Sequence, residues 1–137
     1  MERNTRQLAA VLDAMTASRE ALTPPEICVR AQAIVPSINL STVYRRLKHL
    51  QASGDIVKVE LPGQAARFEA APRHHHDGPG GRAGASHHHH HFHCNACDRV
   101  YPIDACPGDM KQLAPRGFRV EAHDLTLHGR CASCATR

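Results

Sequence analysis

The chain has 137 residues, enough for one ordinary domain or two small ones. Its formal net charge is +4 with histidines counted as neutral, a basic excess that suits a nucleic-acid partner without identifying one. No segment resembles a signal peptide or is apolar enough to span a membrane, so we expect a cytoplasmic protein with reduced thiols and no membrane partner.

Three helices are predicted in the first 55 residues. An apolar stripe at helical spacing predicts a helix over residues 5–15. Thr23-Pro24-Pro25-Glu26 has the pattern of a capping box and opens a second helix that ends near Ala33. Ser41 is the expected cap of a third helix, which Gly54 follows. Strands are predicted at 56–61 and 65–70, on either side of a Pro-Gly turn.

This order of elements is typical of a winged helix-turn-helix domain, and the third helix carries its polar face. Arginine can contact guanine edges in the major groove, and lysine and arginine bind phosphates. The alternative is an ordinary solvated basic face. The candidate DNA-binding residues are Ser41, Thr42, Tyr44, Arg45, Arg46 and Lys48.

Residues 71–86 are rich in Gly, Pro and His and contain no apolar side chain larger than Ala. This composition predicts a flexible linker between a first domain, residues 1–70, and a second, residues 87–137. We interpret His74, His75 and His76 within it as a run that binds metal only loosely.

Two Cys-x-x-Cys pairs are the most specific feature of the sequence. Cys94 and Cys97 form the first pair, and Cys131 and Cys134 form the second, close to Arg137. Four thiolates in two such turns are the ligand set of a structural zinc site. The alternatives are two disulfides or unrelated thiols, which are unusual in a chain without an export signal.

The histidine run before Cys94 is predicted to form a strand. Side chains alternate along a strand, so His88 and His90 project to one face while His89, His91 and His93 project to the other. The run could therefore serve two metal sites, with a low-complexity expansion as the alternative. Cys106 is either a spare ligand or inert. Further predicted elements are a strand at 100–103, a short helix at 108–114, and strands at 118–121 and 124–129.

Together these motifs resemble the ferric uptake regulator family, and the resemblance extends over nearly the whole chain. It rests on Ser41-Thr-Val-Tyr-Arg-Arg-Leu, Ala52-Ser-Gly-Asp-Ile, Arg67-Phe-Glu, the His-rich strand before Cys94, and Leu127-His-Gly-Arg-Cys-x-x-Cys134. It implies an α+β protein, with an N-terminal winged helix-turn-helix and a small C-terminal dimerisation domain that carries a four-cysteine zinc site. It also implies a homodimer that binds AT-rich palindromic double-stranded DNA.

The resemblance also implies metal ligands beyond the four zinc-binding cysteines. Tyr44 and Arg45 match the family's DNA-contacting pair. The sensing site between the domains matches Glu69, His89 and His91, and an additional site matches His88, His90, Asp109 and His123. The sensing site usually takes a further ligand, often His, before the second helix; this chain has no His there, and Glu20 is the candidate replacement.

We therefore predict a metal-dependent repressor of metal-uptake genes, not an enzyme, with a structural zinc and a regulatory zinc or iron(II). Zinc is favoured because the ligands are rich in nitrogen. Iron or peroxide sensing within the same family is the first alternative. A histidine-rich metal buffer or chaperone and a metal-dependent hydrolase are alternatives from other classes, and neither explains the basic helix or the wing.

Overall fold

The computed structural model describes residues 2–71, 90–108 and 110–136. These residues belong to two compact units, and the division between the units lies within 72–89, outside the described residues. The division falls inside the predicted linker, although the exact boundaries at 70 and 87 stay predictions. No helix among the described residues is long and apolar enough to cross a membrane.

The first unit consists of three helices followed by a hairpin. The helices are α1 (Glu2–Thr16), α2 (Pro24–Ala31) and α3 (Leu40–Ala52), and the antiparallel strands are β1 (Ile56–Val59) and β2 (Arg67–Ala70). One apolar cluster holds them together, because each helix directs its apolar stripe inwards. Val11 from α1, Ile27 from α2 and Val43 from α3 are all fully buried there.

The start of α2 confirms the predicted capping box. The Thr23 hydroxyl accepts from the Glu26 backbone N–H at 3.5 Å, and the Glu26 carboxylate accepts from the Thr23 backbone N–H at 2.8 Å. The predicted cap of α3 is wrong. Asn39 caps this helix by accepting from the Thr42 backbone N–H at 2.9 Å, so Ser41 already lies inside the first turn.

The hairpin is shorter than predicted, since β1 ends at Val59 and β2 begins at Arg67. Leu22 pairs with β2 through a single antiparallel β-bridge to Phe68. Its backbone N–H donates to the Phe68 carbonyl at 2.9 Å and its carbonyl accepts from the Phe68 N–H at 2.8 Å. The segment that contains Glu20 therefore runs beside the strand that contains Glu69.

The second unit is a three-stranded sheet of order β4-β3-β5. Its strands are β3 (His90–Cys94), β4 (Val100–Ile103) and β5 (Thr126–Gly129), and a short helix α4 (Ala132–Ala135) follows. Strand β3 is antiparallel to β4 and parallel to β5. Because parallel strands end at the same edge, β3 and β5 bring the two cysteine pairs together.

Two predicted elements of this unit are wrong. The helix expected over 108–114 is a single 3-10 turn, Lys111–Leu113, because Gly108 has a φ of 96° that no helix accommodates and Pro115 closes the segment. Residues 118–121, all of which the structure describes, form no strand, and Phe118 is 71% exposed. The last strand covers only residues 126–129 of the predicted 124–129.

The two candidate caps of α3 can be separated by mutation. We expect Asn39→Ala to lower the free energy of unfolding by about 1 kcal/mol, since it removes the acceptor of the Thr42 N–H. Ser41→Ala, a change within the first turn, should lower the free energy of unfolding by only roughly a few tenths of 1 kcal/mol. Urea unfolding followed by circular dichroism measures both, and equal effects would contradict the assignment of Asn39.

Candidate metal centres and nucleic-acid interface

The four predicted zinc-binding cysteines come together at one edge of the second unit. The sulfurs of Cys94, Cys97, Cys131 and Cys134 all lie within 4.8 Å of one another, and all four are free thiols. The Cys97 and Cys131 sulfurs are 3.8 Å apart. A tetrahedral site with Zn–S distances of about 2.3 Å has sulfur–sulfur edges of about 3.8 Å. The cluster therefore fits a zinc ion, and these four side chains would hold it.

The thiols of this cluster differ in acidity. The backbone N–H groups of Cys131 and Cys97 donate to the Cys94 sulfur, at 3.3 and 3.5 Å, and lower the pKa of that thiol to about 6. A hydrogen bond with Cys131, together with burial, raises the pKa of the Cys134 thiol to about 12. One thiolate thus forms readily, while the last resists ionisation in the absence of a cation that neutralises its neighbours.

A second cluster joins His90, Cys106 and His123. The three pairwise distances between His90 Nε2, Cys106 Sγ and His123 Nε2 are each 3.3 Å. With Zn–N of about 2.05 Å and Zn–S of about 2.3 Å, tetrahedral edges are about 3.3 Å between nitrogens and about 3.6 Å between nitrogen and sulfur. His90 is 1% exposed, so the site is anchored in the sheet, whereas Cys106 is exposed.

Only part of the predicted additional site is placed by the structure. His90 and His123 converge, while His88 and Asp109 lie outside the described residues. Cys106 is the residue that sequence reasoning left undecided. In the sequence, the one indication that Cys106 is a metal ligand is its position shortly before the predicted ligand Asp109. The fold places Cys106 next to His90 and His123.

The predicted sensing set is described only in part. Glu69 is buried on β2 in the first unit, His91 is half-buried on β3 in the second, and His89 lies outside the described residues. Glu20, the candidate replacement ligand, forms an ion pair with Arg30 at 3.7 Å. The set as a whole stays a prediction.

The candidate DNA-binding residues of α3 divide by burial. Tyr44 is 53% exposed, and Ser41, Arg45 and Lys48 are exposed on the same helix. Thr42 is buried, and its hydroxyl accepts from the Arg45 guanidinium at 3.2 Å, so it orients Arg45 from beneath the surface. The half-buried Arg46 donates to the Asn4 side chain of α1 at 3.2 Å.

An open cleft lies between α3 and the hairpin. It has a volume of about 650 Å³, and its lining includes Tyr44, Lys48 and Lys58. Two lysines and a tyrosine at the rim of such a cleft present donors to an anionic partner.

Residues 2–78, more than half of the chain, match the model of the ferric uptake regulator family. The protein belongs to the ferric uptake regulator family. It is therefore a metal-responsive transcriptional regulator and not an enzyme.

Solved structures of similar proteins share the fold of this family member. The Helicobacter pylori ferric uptake regulator is 23% identical with a TM-score of 0.61, over 94% of this chain and 79% of that one. A zinc-bound manganese uptake regulator is 23% identical with a TM-score of 0.68, over 91% and 87%. A zinc uptake regulator complexed with zinc and DNA is 24% identical with a TM-score of 0.57, over 95% and 81%. At these identities the likeness concerns the fold and does not select a metal.

The unequal thiol acidities predict how many protons zinc displaces. At pH 7.5 we expect the first equivalent of zinc to release about three protons rather than four, because the thiol of Cys94, with a pKa of about 6, is already ionised. Below pH 6 this thiol is protonated, so proton release should rise and zinc affinity should fall more steeply. Calorimetry of the reduced, metal-free protein in buffers of different ionisation enthalpy gives the count. Release of four protons at pH 7.5 would contradict the acidity of Cys94.

Proposed function

We propose that this protein is a zinc-responsive repressor that binds an AT-rich palindromic operator as a homodimer and controls metal-uptake genes. Family membership supports the general role, and one observation carries the choice of metal. The cluster of His90, Cys106 and His123 combines two imidazoles and a cysteine sulfur within 3.3 Å of one another.

The donor atoms of the two clusters favour zinc. Thiolate and imidazole suit zinc, whereas manganese and other hard cations prefer carboxylate and water. The four cysteines would hold a structural zinc, and the cluster of His90, Cys106 and His123 would hold the regulatory ion. In both places a divalent cation would supply the positive charge that lets closely spaced donors lose their protons.

The second cluster connects two different parts of its unit. His90 lies on β3, while Cys106 and His123 lie on the long connection between β4 and β5. Of the described residues in this connection, only Lys111–Leu113 form regular structure, so few backbone hydrogen bonds order it. When the three side chains are held together, the connection is fixed to the sheet at two points. This arrangement gives a physical route from ligand binding to the shape of the unit.

Exposed apolar side chains on this unit support a homodimer. Leu113 is 80% exposed, Phe118 is 71% exposed, and Leu127 on the edge strand β5 is 46% exposed. Large apolar side chains at a surface are typical of a protein–protein interface. Leu113 and Phe118 belong to the connection that the second cluster would fix, so we infer that regulatory metal binding strengthens dimerisation.

The exposed face of α3 is the proposed reading surface for DNA. Tyr44 and Arg45 would contact the operator, and Lys48 would contact phosphates. A two-fold symmetric dimer matches the symmetry of a palindrome, so a change that orders the dimer also favours operator binding. The predicted sensing set of Glu69, His89 and His91 would add to this coupling.

Operator binding under controlled free metal tests the proposal. We expect buffered zinc to tighten binding to an AT-rich palindromic duplex by about 5- to 150-fold, measured by fluorescence anisotropy under reducing, anaerobic conditions. The double variant His90→Ala/His123→Ala should lose most of this increase while it retains the zinc of the four cysteines. Glu69→Ala, measured beside it, reports the contribution of the sensing set.

Each alternative has its own result in the same experiment. Tightening by iron(II) alone would make the protein an iron regulator. Zinc binding without any operator binding would favour a metal buffer. Operator binding with the same affinity in the presence and absence of metal would show that the protein has no regulatory response to metal.

Replacement of the thiolate should change the metal preference. We expect Cys106→Asp to weaken zinc-dependent operator binding by about 10-fold and to reduce the preference for zinc over manganese(II), because a carboxylate is a harder ligand. Cobalt(II) substitution provides an independent readout, since the variant should lose one sulfur-to-cobalt absorption contribution. Cys28→Ser is the matched control, because Cys28 is buried in the first unit. An unchanged metal preference would show that Cys106 is not a ligand.

A further inference from the structure

A third group of polar side chains lies beside the four cysteines and belongs to neither cluster described above. His93 Nε2 is 2.6 Å from Asp98 Oδ1, and His93 Nδ1 is 3.4 Å from His128 Nδ1. His93 precedes Cys94, Asp98 follows Cys97, and His128 lies on the strand that leads to Cys131. We propose that Asp98, His93 and His128 form a hydrogen-bonded clamp that holds the two Cys-x-x-Cys turns together and slows the loss of metal from the four cysteines.

The backbone of Asp98 is the first observation that points to such a role. Its φ is 63°, and within the described residues it is the one position outside glycine with a positive φ. Glycine adopts this conformation at little cost, whereas most other residues are strained by about 1 kcal/mol and aspartate and asparagine by less. The turn therefore favours glycine, and an aspartate in this position places its carboxylate against His93.

The carboxylate determines which nitrogen of His93 carries the proton. An ionised carboxylate only accepts hydrogen bonds, so His93 carries a proton on Nε2 and donates it to Asp98 Oδ1. The Nδ1 of His93 faces the Nδ1 of His128 at 3.4 Å, and in the clamp that we propose the His128 nitrogen donates to the His93 nitrogen. His93 is only 8% exposed, so these partners matter to its ring more than they would at an exposed site.

The strand register explains why this chain of hydrogen bonds links the two turns. His93 and His128 are paired across the parallel strands β3 and β5, and their rings meet edge to face with centroids 5.5 Å apart. The next residue on β3 is Cys94, and β5 ends at Gly129, two residues before Cys131. The backbone adds a nearby link, since the Asn95 N–H donates to the Gly129 carbonyl at 2.7 Å.

A metal ion between the two Nδ1 atoms is the competing interpretation. The 3.4 Å separation resembles the nitrogen–nitrogen edge of a tetrahedral site, about 3.3 Å. Among the described residues, however, no third imidazole, thiol or carboxylate converges with both of these atoms within 4.8 Å. The hydrogen-bonded chain accounts for the two ring nitrogens that face each other and for the contact of His93 Nε2 with Asp98.

Substitution of Asp98 by glycine gives opposite expectations for a clamp and for a simple turn. Asp98→Gly relieves the backbone strain, so a turn residue without further role would leave zinc retention unchanged or improved. For the clamp, we expect zinc transfer to a chelator to become about 10-fold faster, the scale of losses when a group behind a metal ligand is removed. Asp98→Asn tolerates the same backbone and keeps a neutral acceptor, so its effect should be smaller.

The measurement uses the full chain in a His123→Ala background, so that zinc release reports the four cysteines. Glu121→Gln, an exposed acidic residue of the same unit, is the control for charge. Nitrogen NMR of the imidazoles at fixed pH adds a second readout. Asp98→Gly should remove the preference of His93 for a proton on Nε2, which a purely structural turn would not set.

Two results would overturn the clamp. One is that the Asp98→Gly variant releases zinc no faster than the protein that retains Asp98, both in the His123→Ala background. The other is the loss of one bound metal equivalent in His128→Gln, which would assign the pair to a metal site. The clamp rests on the structural zinc proposed above and does not require DNA binding. If the unmodified protein holds no zinc at the four cysteines, the proposal of a structural zinc is wrong. Metal analysis of the unmodified protein detects this before any variant is made.

Discussion

Strands β3 and β5 run parallel and end at the same edge of the sheet, where four cysteine sulfurs lie within 4.8 Å of one another. Backbone N–H groups stabilise the first negative charge, on Cys94, but each further thiolate must form beside an existing one. A divalent cation removes this repulsion and also links two segments that are distant in sequence. The organisation of the second unit depends on this constraint, since β3 is the one strand that pairs with β5 in the part of the chain that the structure describes.

The regulatory chemistry that we propose uses the other end of β3. His90 is buried at the start of this strand, and Cys94 lies at its end. One five-residue strand thus contributes a ligand to each cluster. The second cluster also reaches the irregular connection that carries Leu113 and Phe118. Metal binding at the second cluster can therefore change the position of these exposed apolar side chains directly, without a long chain of intermediate residues.

In the first unit, an apolar core joins the secondary-structure elements. Its helices share one apolar core, and the Leu22–Phe68 bridge attaches the loop before α2 to the hairpin. The exposed face of α3 is consequently supported from behind by this packed core, which includes Val43, Leu47 and Leu50 of the same helix. Not every candidate DNA-binding residue lies on this exposed face. Thr42 is buried, and its hydroxyl orients Arg45, which is exposed.

The sequence by itself determined the winged helix, the capping box at Thr23, the four-cysteine cluster and the family. Each of these depends on short-range spacing or on ligand types, which a sequence displays directly. The weakly patterned stretch from 104 to 125 was predicted as a helix and a strand and is mostly irregular, because Gly108, Pro115 and Gly117 override its propensities. The tertiary structure alone decided that Cys106 meets His90 and His123, and that His93 meets Asp98 and His128. These contacts join residues brought together by strand pairing and by the path of an irregular connection, and neither is encoded in local spacing.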